Sequence, residues 1–213
     1  SLILSENGYR PIVLERGASV DERVEAVENF FKNAVLDTSS NVQFGEGGAG
    51  TFSDGKLTTR IGDELCSYAL KRFAEFGAPH EILTKSNPHI GTDKLRTVVK
   101  NIRNRIIDLG GEIRFNTKAE DFITENGRIK SIVTKDDEIK CSAVILAIGH
   151  SARDTFETLL KKGVFIEPKP FSVGARIEHK RVEVNKSLYG KNYDNPLLPE
   201  GEYKLSYREG ERG

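Results

Sequence analysis

The 213-residue sequence predicts an α/β fold, a parallel sheet flanked by helices with an antiparallel meander inserted before a late parallel strand. Three observations carry this. Two short apolar runs, PIVLE at residues 11–15 and AVILAIG at 143–149, have the unbroken hydrophobicity of strands buried on both faces. Longer segments between them repeat apolar residues at helical spacing. Asn126-Gly127 stands between the strand-like segments AEDFIT and RIKSIVT, and both residues suit the positive φ of a type I′ hairpin turn.

Taken in order, Leu2, Ile3 and Leu4 followed by Asn7-Gly8 read as the back half of a helix and its C-terminal stop. After the first strand, Val20, Val24, Val27, Phe30, Phe31 and Val35 recur at helical spacing, with Asp21 and Glu22 where acids suit the helix dipole. A helix over 63–76 would bury Leu65, Ala69, Phe73 and Phe76, and residues 79–88 form a turn-rich connector. The next helix starts at Thr92-Asp93, presents Leu95, Val98, Val99, Ile102, Ile106 and Leu109 on one face, and stops at Gly110-Gly111. Strands follow at 112–115, on both sides of Asn126-Gly127 and around 138–141, then the 143–149 run and a helix over 152–162. From Val164 onward the pattern alternates weakly and loosens into Pro- and Gly-spaced loops.

Composition narrows the classes. With 32 basic and 32 acidic residues the chain lacks the basic footprint of a nucleic-acid or anionic-membrane binder. The longest clean apolar stretch, residues 143–148, is far short of the roughly 18 residues of a membrane span. Cys66 and Cys141 form no CxxC pair, which suits a reduced, cytoplasmic setting with both thiols in packing roles. The chain contains no Met, opens within a helical pattern and closes on polar REGERG, so it reads as an excerpt cut inside a domain at both ends.

Residues 44–57, FGEGGAGTFSDGKL, hold five glycines among small hydroxyl residues. Glycine at this density loses much backbone entropy on folding and belongs where the chain turns tightly or something approaches closely. Successive small residues expose N–H groups that form an anion nest, and Thr51, Ser53 and Lys56 add donors. The Walker pattern is not met, because Leu57 follows Lys56. Phe44, Phe52 and Leu57 argue against an idle surface loop.

Glu15 ends the first apolar strand. In a dinucleotide-binding unit such an acid accepts hydrogen bonds from the adenosine ribose, about 20 residues after a G-x-G-x-x-G turn. That turn would lie upstream of Ser1; the alternative is that Glu15-Arg16-Gly17 is simply a polar strand exit. Ala147-Ile148-Gly149 brings bare backbone to the carboxyl edge of the sheet, where open α/β sheets bind ligands. His80, His89, His150 and His179 have no metal-ligand spacing; His89 and His150 are of interest only for their neighbours in suspected cofactor loops. No metal site and no nucleophile elbow is legible.

PIVLERG, FGEGGAGTFSDGKLTTR, PHIGTDKLRTVVKNIR and AVILAIGHSARDTF, in this order and spacing, resemble bacterial FAD-dependent proteins of the NAD(FAD)-utilising dehydrogenase family. The likeness covers nearly the whole chain; EGGAGTFSDGKL and HIGTDKL are its specific segments. The resemblance implies a glutathione-reductase-like FAD domain over residues 1–163, Rossmann-like, truncated at its N-terminus and including a helical insertion near 63–90. It also implies the start of a β-rich substrate or cap domain over 164–213, with KPFSVGARIEH as a strand towards the substrate. Carried over by position, Glu15 would bind the adenosine ribose, with Arg16 alongside. Gly47, Gly48, Thr51, Ser53, Asp54, Gly55 and Lys56 would line the pyrophosphate and flavin, Ala119 would face the adenine, and Ala147, Gly149 and His150 would close over the cofactor. The family's opening glycine fingerprint is absent, and AIG replaces the commoner A-T-G.

The implied function is a flavin-dependent oxidoreductase acting on a small molecule, with NAD(P)H as electron donor and no catalytic residue identifiable. The alternative from another class is a sensor or scaffold module that keeps the FAD-domain fold without turnover. An NAD-only dehydrogenase fits less well, since the meander and long glycine loop belong to the flavin pattern. A sheet lacking its central strand would leave edges unpaired, so low solubility is expected of the excerpt.

Overall fold

A computed structural model describes residues 1–52, 63–84, 90–169, 173–175, 177–203 and 205. The chain divides into two units, Ser1–Val164 and Phe165–Gly213. The first contains α1 (Leu2–Glu6), β1 (Ile12–Leu14), α2 (Val20–Asn33), a 3₁₀ turn (Ala49–Phe52), α3 (Glu64–Glu75), a second 3₁₀ turn (His80–Leu83) and α4 (Thr92–Asp108). It continues through β2 (Glu112–Arg114), β3 (Asp121–Glu125), β4 (Arg128–Val133), β5 (Glu138–Lys140) and α5 (Arg153–Lys161). The second unit carries α6 (Arg181–Tyr189) and a 3₁₀ turn at Gly190–Asn192.

The fold is mixed helix and sheet. β1 and β2 pair in parallel, Val13 opposite Ile113, while β3, β4 and β5 form an antiparallel meander in that order. Asn126 and Gly127 take φ of 52° and 73° between β3 and β4, the two positive values a type I′ turn requires. α1 stops where expected: the Asn7 side-chain amide donates to Ile3 O at 2.8 Å, and Gly8 has φ +83°. α2 begins with Glu22 reaching back to accept from Ser19 N–H at 3.3 Å and Ser19 Oγ at 3.0 Å. α3 is capped by Asp63, which accepts from Leu65 N–H at 2.7 Å.

The main core lies between α3 and α4, where Ala74, Ala78, Ile82, Ile90, Leu95 and Val98 are buried with Leu70, Phe73, Phe76, Val99 and Ile102 packed around them. The α4 face read from the sequence is the one that is buried. The α3 face is rotated: Leu65 is 70% exposed and Ala69 is exposed, while Leu70, Phe73 and Ala74 turn inward. The period was legible; packing against the His80–Leu83 turn, in the cluster shared with α4, sets its phase. On α2, Phe30 and Phe31 are exposed, as is Val35 just past its end, and Arg23 occupies the buried face between Val20 and Val27.

Two strand expectations do not hold. Residues 143–149 are not a strand; Ile145 is 75% exposed, and the last ladder-like bond before them runs from Cys141 N–H to Lys130 O. An apolar run becomes a strand only where another strand offers ladder partners, and no described strand pairs with this one. In the second unit, expected to be β-rich, the described residues form no strand, and a segment read as loop forms α6. Its two valines, Val182 and Val184, alternate too briefly to fix a strand. Glu183 and Lys186 instead pair at i,i+3, and Gly190, with φ +54°, ends the helix. No described helix is long and apolar enough to cross a membrane.

Val98 is fully buried at the centre of this core, whereas Ile107 on the same helix is 49% exposed. Val98→Ala should cost about 1.5–3 kcal/mol and Ile107→Ala under about 1 kcal/mol, measured by urea denaturation. Equal losses would place the core elsewhere.

Candidate functional site

The site is built where β1 ends. Glu15 N–H donates to Arg114 O and Glu15 O accepts from Thr117 N–H, both at 2.9 Å, so the exit of β1 is clamped to the chain leaving β2. Gly17 follows, buried, its carbonyl accepting from Asn116 N–H at 2.9 Å. A Cβ on Gly17 would lie 2.6 Å from Gly45 Cα and 2.8 Å from Ser39 O, so only glycine lets the glycine-rich loop rest on the strand exit. Glu15 joins the two: its Oε1 accepts from Gly17 N–H at 2.9 Å and from Gly45 N–H at 3.1 Å.

The loop is then gripped from α2. Arg23 is 0% exposed, and all its nitrogens donate to main-chain carbonyls. Nε reaches Asn41 O at 2.7 Å, Nη2 reaches Val42 O at 2.9 Å, and Nη1 reaches Glu46 O at 2.7 Å and Gly45 O at 3.3 Å. Its guanidinium also lies 4.7 Å from the Phe52 ring, whose neighbourhood Arg96 shares at 4.9 Å. Burial lowers the Arg23 pKa to about 10, opposed by the charges of Glu15 and Glu46, so the group stays protonated at neutral pH. Glu46 is buried as well. Its Oε2 accepts from Val20 N–H, the first free donor of α2, and from Arg103 Nη1 of α4, both at 2.7 Å. Burial pushes the Glu46 carboxyl above the usual carboxylate range, against the pull of Val20 N–H and Arg103. Asp21 extends this link by pairing with Lys100 at 2.8 Å.

With its start fixed, the loop has N–H groups that meet no acceptor among the described residues. No described residue accepts a hydrogen bond from the N–H of Gly47, Ala49 or Gly50. Gly48 has open space where a Cβ would stand. Thr51 is fully buried, and its Oγ1 has no hydrogen-bond partner among the described residues. A Cβ on Gly47 would fall 2.1 Å from that oxygen and 3.2 Å from Val99 Cγ2 of α4. Exposed N–H groups, a Cβ-free backbone and an orphaned hydroxyl fit a phosphate-bearing ligand.

A second cluster borders the strand exit. Arg16 Nη2 donates to both oxygens of Asp154 at 2.8 and 2.9 Å, its guanidinium lies 4.4 Å from the Phe44 ring, and Lys118 Nζ is 2.7 Å from Asp154. Asp154 stands in the first turn of α5, so β1, the segment after β2, and α5 meet at one carboxylate. Burial raises the Asp154 pKa, but hydrogen bonds from Lys118, Arg16 and Thr155 N–H outweigh it and hold the carboxyl well below the usual range.

Among the residues singled out by sequence, Glu15 is bonded directly to the loop containing Gly47, Gly48 and Thr51, and Arg16 stacks on Phe44 at the head of that loop. Ala119 is half-buried beside Lys118, just before β3. Ala147, Gly149 and His150 are exposed, and no hydrogen bond or ion pair among the described residues joins them to Glu15, Arg16 or the loop. Ser53, Asp54, Gly55 and Lys56, like His89, lie outside the described residues. Arg23, Glu46, Lys118 and Asp154 escaped the sequence reading. Arg23 had one signal, a charged residue in phase with Val20 and Val27, and Glu46 had another, as the lone charge among residues 44–52.

Comparison with known proteins adds two findings. Residues 170–213 match the family described as FAD-dependent protein, C-terminal domain-like. An uncharacterized protein of Clostridium beijerinckii (strain ATCC 51743 / NCIMB 8052) is 50% identical over 208 residues, covering 98% of this chain and 39% of the relative. The chain thus spans about two fifths of the length of that relative.

Because its folded pKa is depressed, Asp154 adds stability above its unfolded value near 3.8, and that contribution is lost as pH falls through the folded value. The Tm of the wild type should therefore drop more steeply below about pH 4 than that of Asp154→Asn. Parallel Tm-against-pH curves would show the cluster to be energetically idle.

Proposed function

We propose that this chain binds FAD at the exit of β1 and is the flavin-binding part of an FAD-dependent oxidoreductase with a Rossmann-like layout. The observation that carries the reading is the placement of the Glu15 carboxylate, bonded to Gly45 N–H, at the carboxyl end of a parallel strand, in a loop whose Gly47, Ala49 and Gly50 N–H groups meet no acceptor among the described residues. A carboxylate suits ribose hydroxyls and N–H groups suit a diphosphate, and FAD carries both. The match of residues 170–213 to an FAD-dependent C-terminal domain supports the same cofactor from an independent stretch of chain.

In this reading Glu15 accepts from the adenosine ribose through its second oxygen, since Oε1 already serves the loop. Arg16, fixed on Asp154 and Phe44, borders the ribose. Gly47, Gly48 and Thr51 hold the diphosphate, and Ser53, Asp54, Gly55 and Lys56, carried over by position, are assigned to the pyrophosphate and flavin as well. Ala119 faces the adenine, and Ala147, Gly149 and His150 cover the cofactor from the segment leading into α5. FAD, when bound, supplies the hydride or electron transfer; the protein binds, orients and shields it. NAD(P)H is the electron donor and a small molecule the substrate.

A visible spectrum of the purified full-length protein, with mass analysis of what denaturation releases, tests this directly. The expected result is a yellow protein releasing FAD. A folded, colourless protein that cannot be reconstituted with FAD would contradict it and favour a binding module that keeps the fold without turnover. Glu15→Gln keeps an acceptor for the N–H groups of Gly17 and Gly45 but removes the charge. It should weaken FAD binding about tenfold, from the loss of a charge-assisted bond of about 1.5 kcal/mol, and unchanged affinity would sink the ribose assignment.

A further inference from the structure

We propose that Arg23 is a positioning residue for the cofactor loop: it brackets residues 47–51 from both sides and holds them so that the N–H groups of Gly47, Ala49 and Gly50 meet no acceptor among the described residues. The inference rests on the FAD reading above. The bracket has two arms. On the N-terminal side the guanidinium takes the carbonyls of Asn41, Val42, Gly45 and Glu46, and on the C-terminal side it lies against the Phe52 ring. Glu46 fastens the same stretch a second time, through Val20 N–H and Arg103.

The chemistry of the remaining groups follows. Between residues 41 and 46 the carbonyls of Asn41, Val42, Gly45 and Glu46 are committed to Arg23, and the N–H of Gly45 is committed to Glu15. In the next stretch the N–H groups of Gly47, Ala49 and Gly50 meet no acceptor among the described residues, and N–H donors are what a diphosphate needs. Arginine is required for geometric reasons. A planar fork with several fixed donors can span four carbonyls and still present a flat face to Phe52, whereas the lysine ammonium is a single, strongly hydrated point. Arg23 touches no ligand in this scheme; it acts through the loop.

A buried arginine could equally serve stability alone, so the test must separate the two roles. Val27, 5% exposed and one turn further along the same face of α2, provides the control, since no hydrogen bond ties it to the loop. FAD would be titrated onto the apo full-length wild type, Arg23→Lys and Val27→Ala by flavin fluorescence, well below the Tm of each. Arg23→Lys should bind at least about tenfold more weakly, while Val27→Ala loses Tm but binds within about twofold of wild type. Unchanged binding in Arg23→Lys, or weakening that merely tracks the loss of Tm in both variants, would overturn the positioning role. Wild-type protein that takes up no FAD would instead overturn the cofactor reading on which it rests. Should Arg23→Lys not fold, Phe52→Leu, which removes only the ring against the guanidinium, should weaken binding about threefold, and unchanged affinity there would overturn the bracket.

Discussion

The buried Arg23 guanidinium is the interaction on which the rest of the site depends. A glycine-rich segment has little of its own to hold one conformation, since it lacks side chains to pack and loses more backbone entropy than any other sequence on folding. Here one cation on a helix draws together four carbonyls that would otherwise need water or a ladder partner. Its charge is tolerable in the interior because every nitrogen is bonded and because Glu15 and Glu46 stand near it. Glu46 spends its carboxylate on the start of α2 and on Arg103 of α4, so the loop, α2 and α4 become one rigid piece.

This rigidity is what the strand exit needs. Glu15 connects β1 to the loop through Gly45, and Arg16 connects it to α5 through Asp154. Three elements far apart in sequence thereby converge on the carboxyl edge of the parallel pair, which is where the fold class places ligands. A cofactor entering such a site meets donors that are already oriented, so little ordering entropy remains to be lost on binding.

Local features were legible in the sequence. Asn126-Gly127 announced its hairpin, Asn7-Gly8 its helix stop, and the α4 stripe its buried face, because each depends on residues within a few positions of one another. Features that depend on distant partners were not. The 143–149 run has the composition of a buried strand, yet strand formation requires a neighbour that composition does not supply. The α3 face was out of phase because the His80–Leu83 turn and the cluster shared with α4 set it, and α6 was hidden by an apolar pattern too weak to fix a periodicity. Arg23 was passed over because a charge in a helical stripe reads as an interruption; its meaning lies in carbonyls 18 to 23 residues away. The place of Thr51 in the loop marks it as a donor to a ligand, but its burial and the absence of a hydrogen-bond partner for Oγ1 among the described residues are properties of the fold.

Amide hydrogen exchange on the full-length protein, with and without saturating FAD, tests the central claim most directly, because it reads the loop donors one segment at a time. The amide of Gly45 should be protected in both states, through its bond to Glu15, and those of Gly47, Ala49 and Gly50 should become protected only when FAD is present. Protection by FAD confined to other segments, with residues 47–50 exchanging as before, would contradict it.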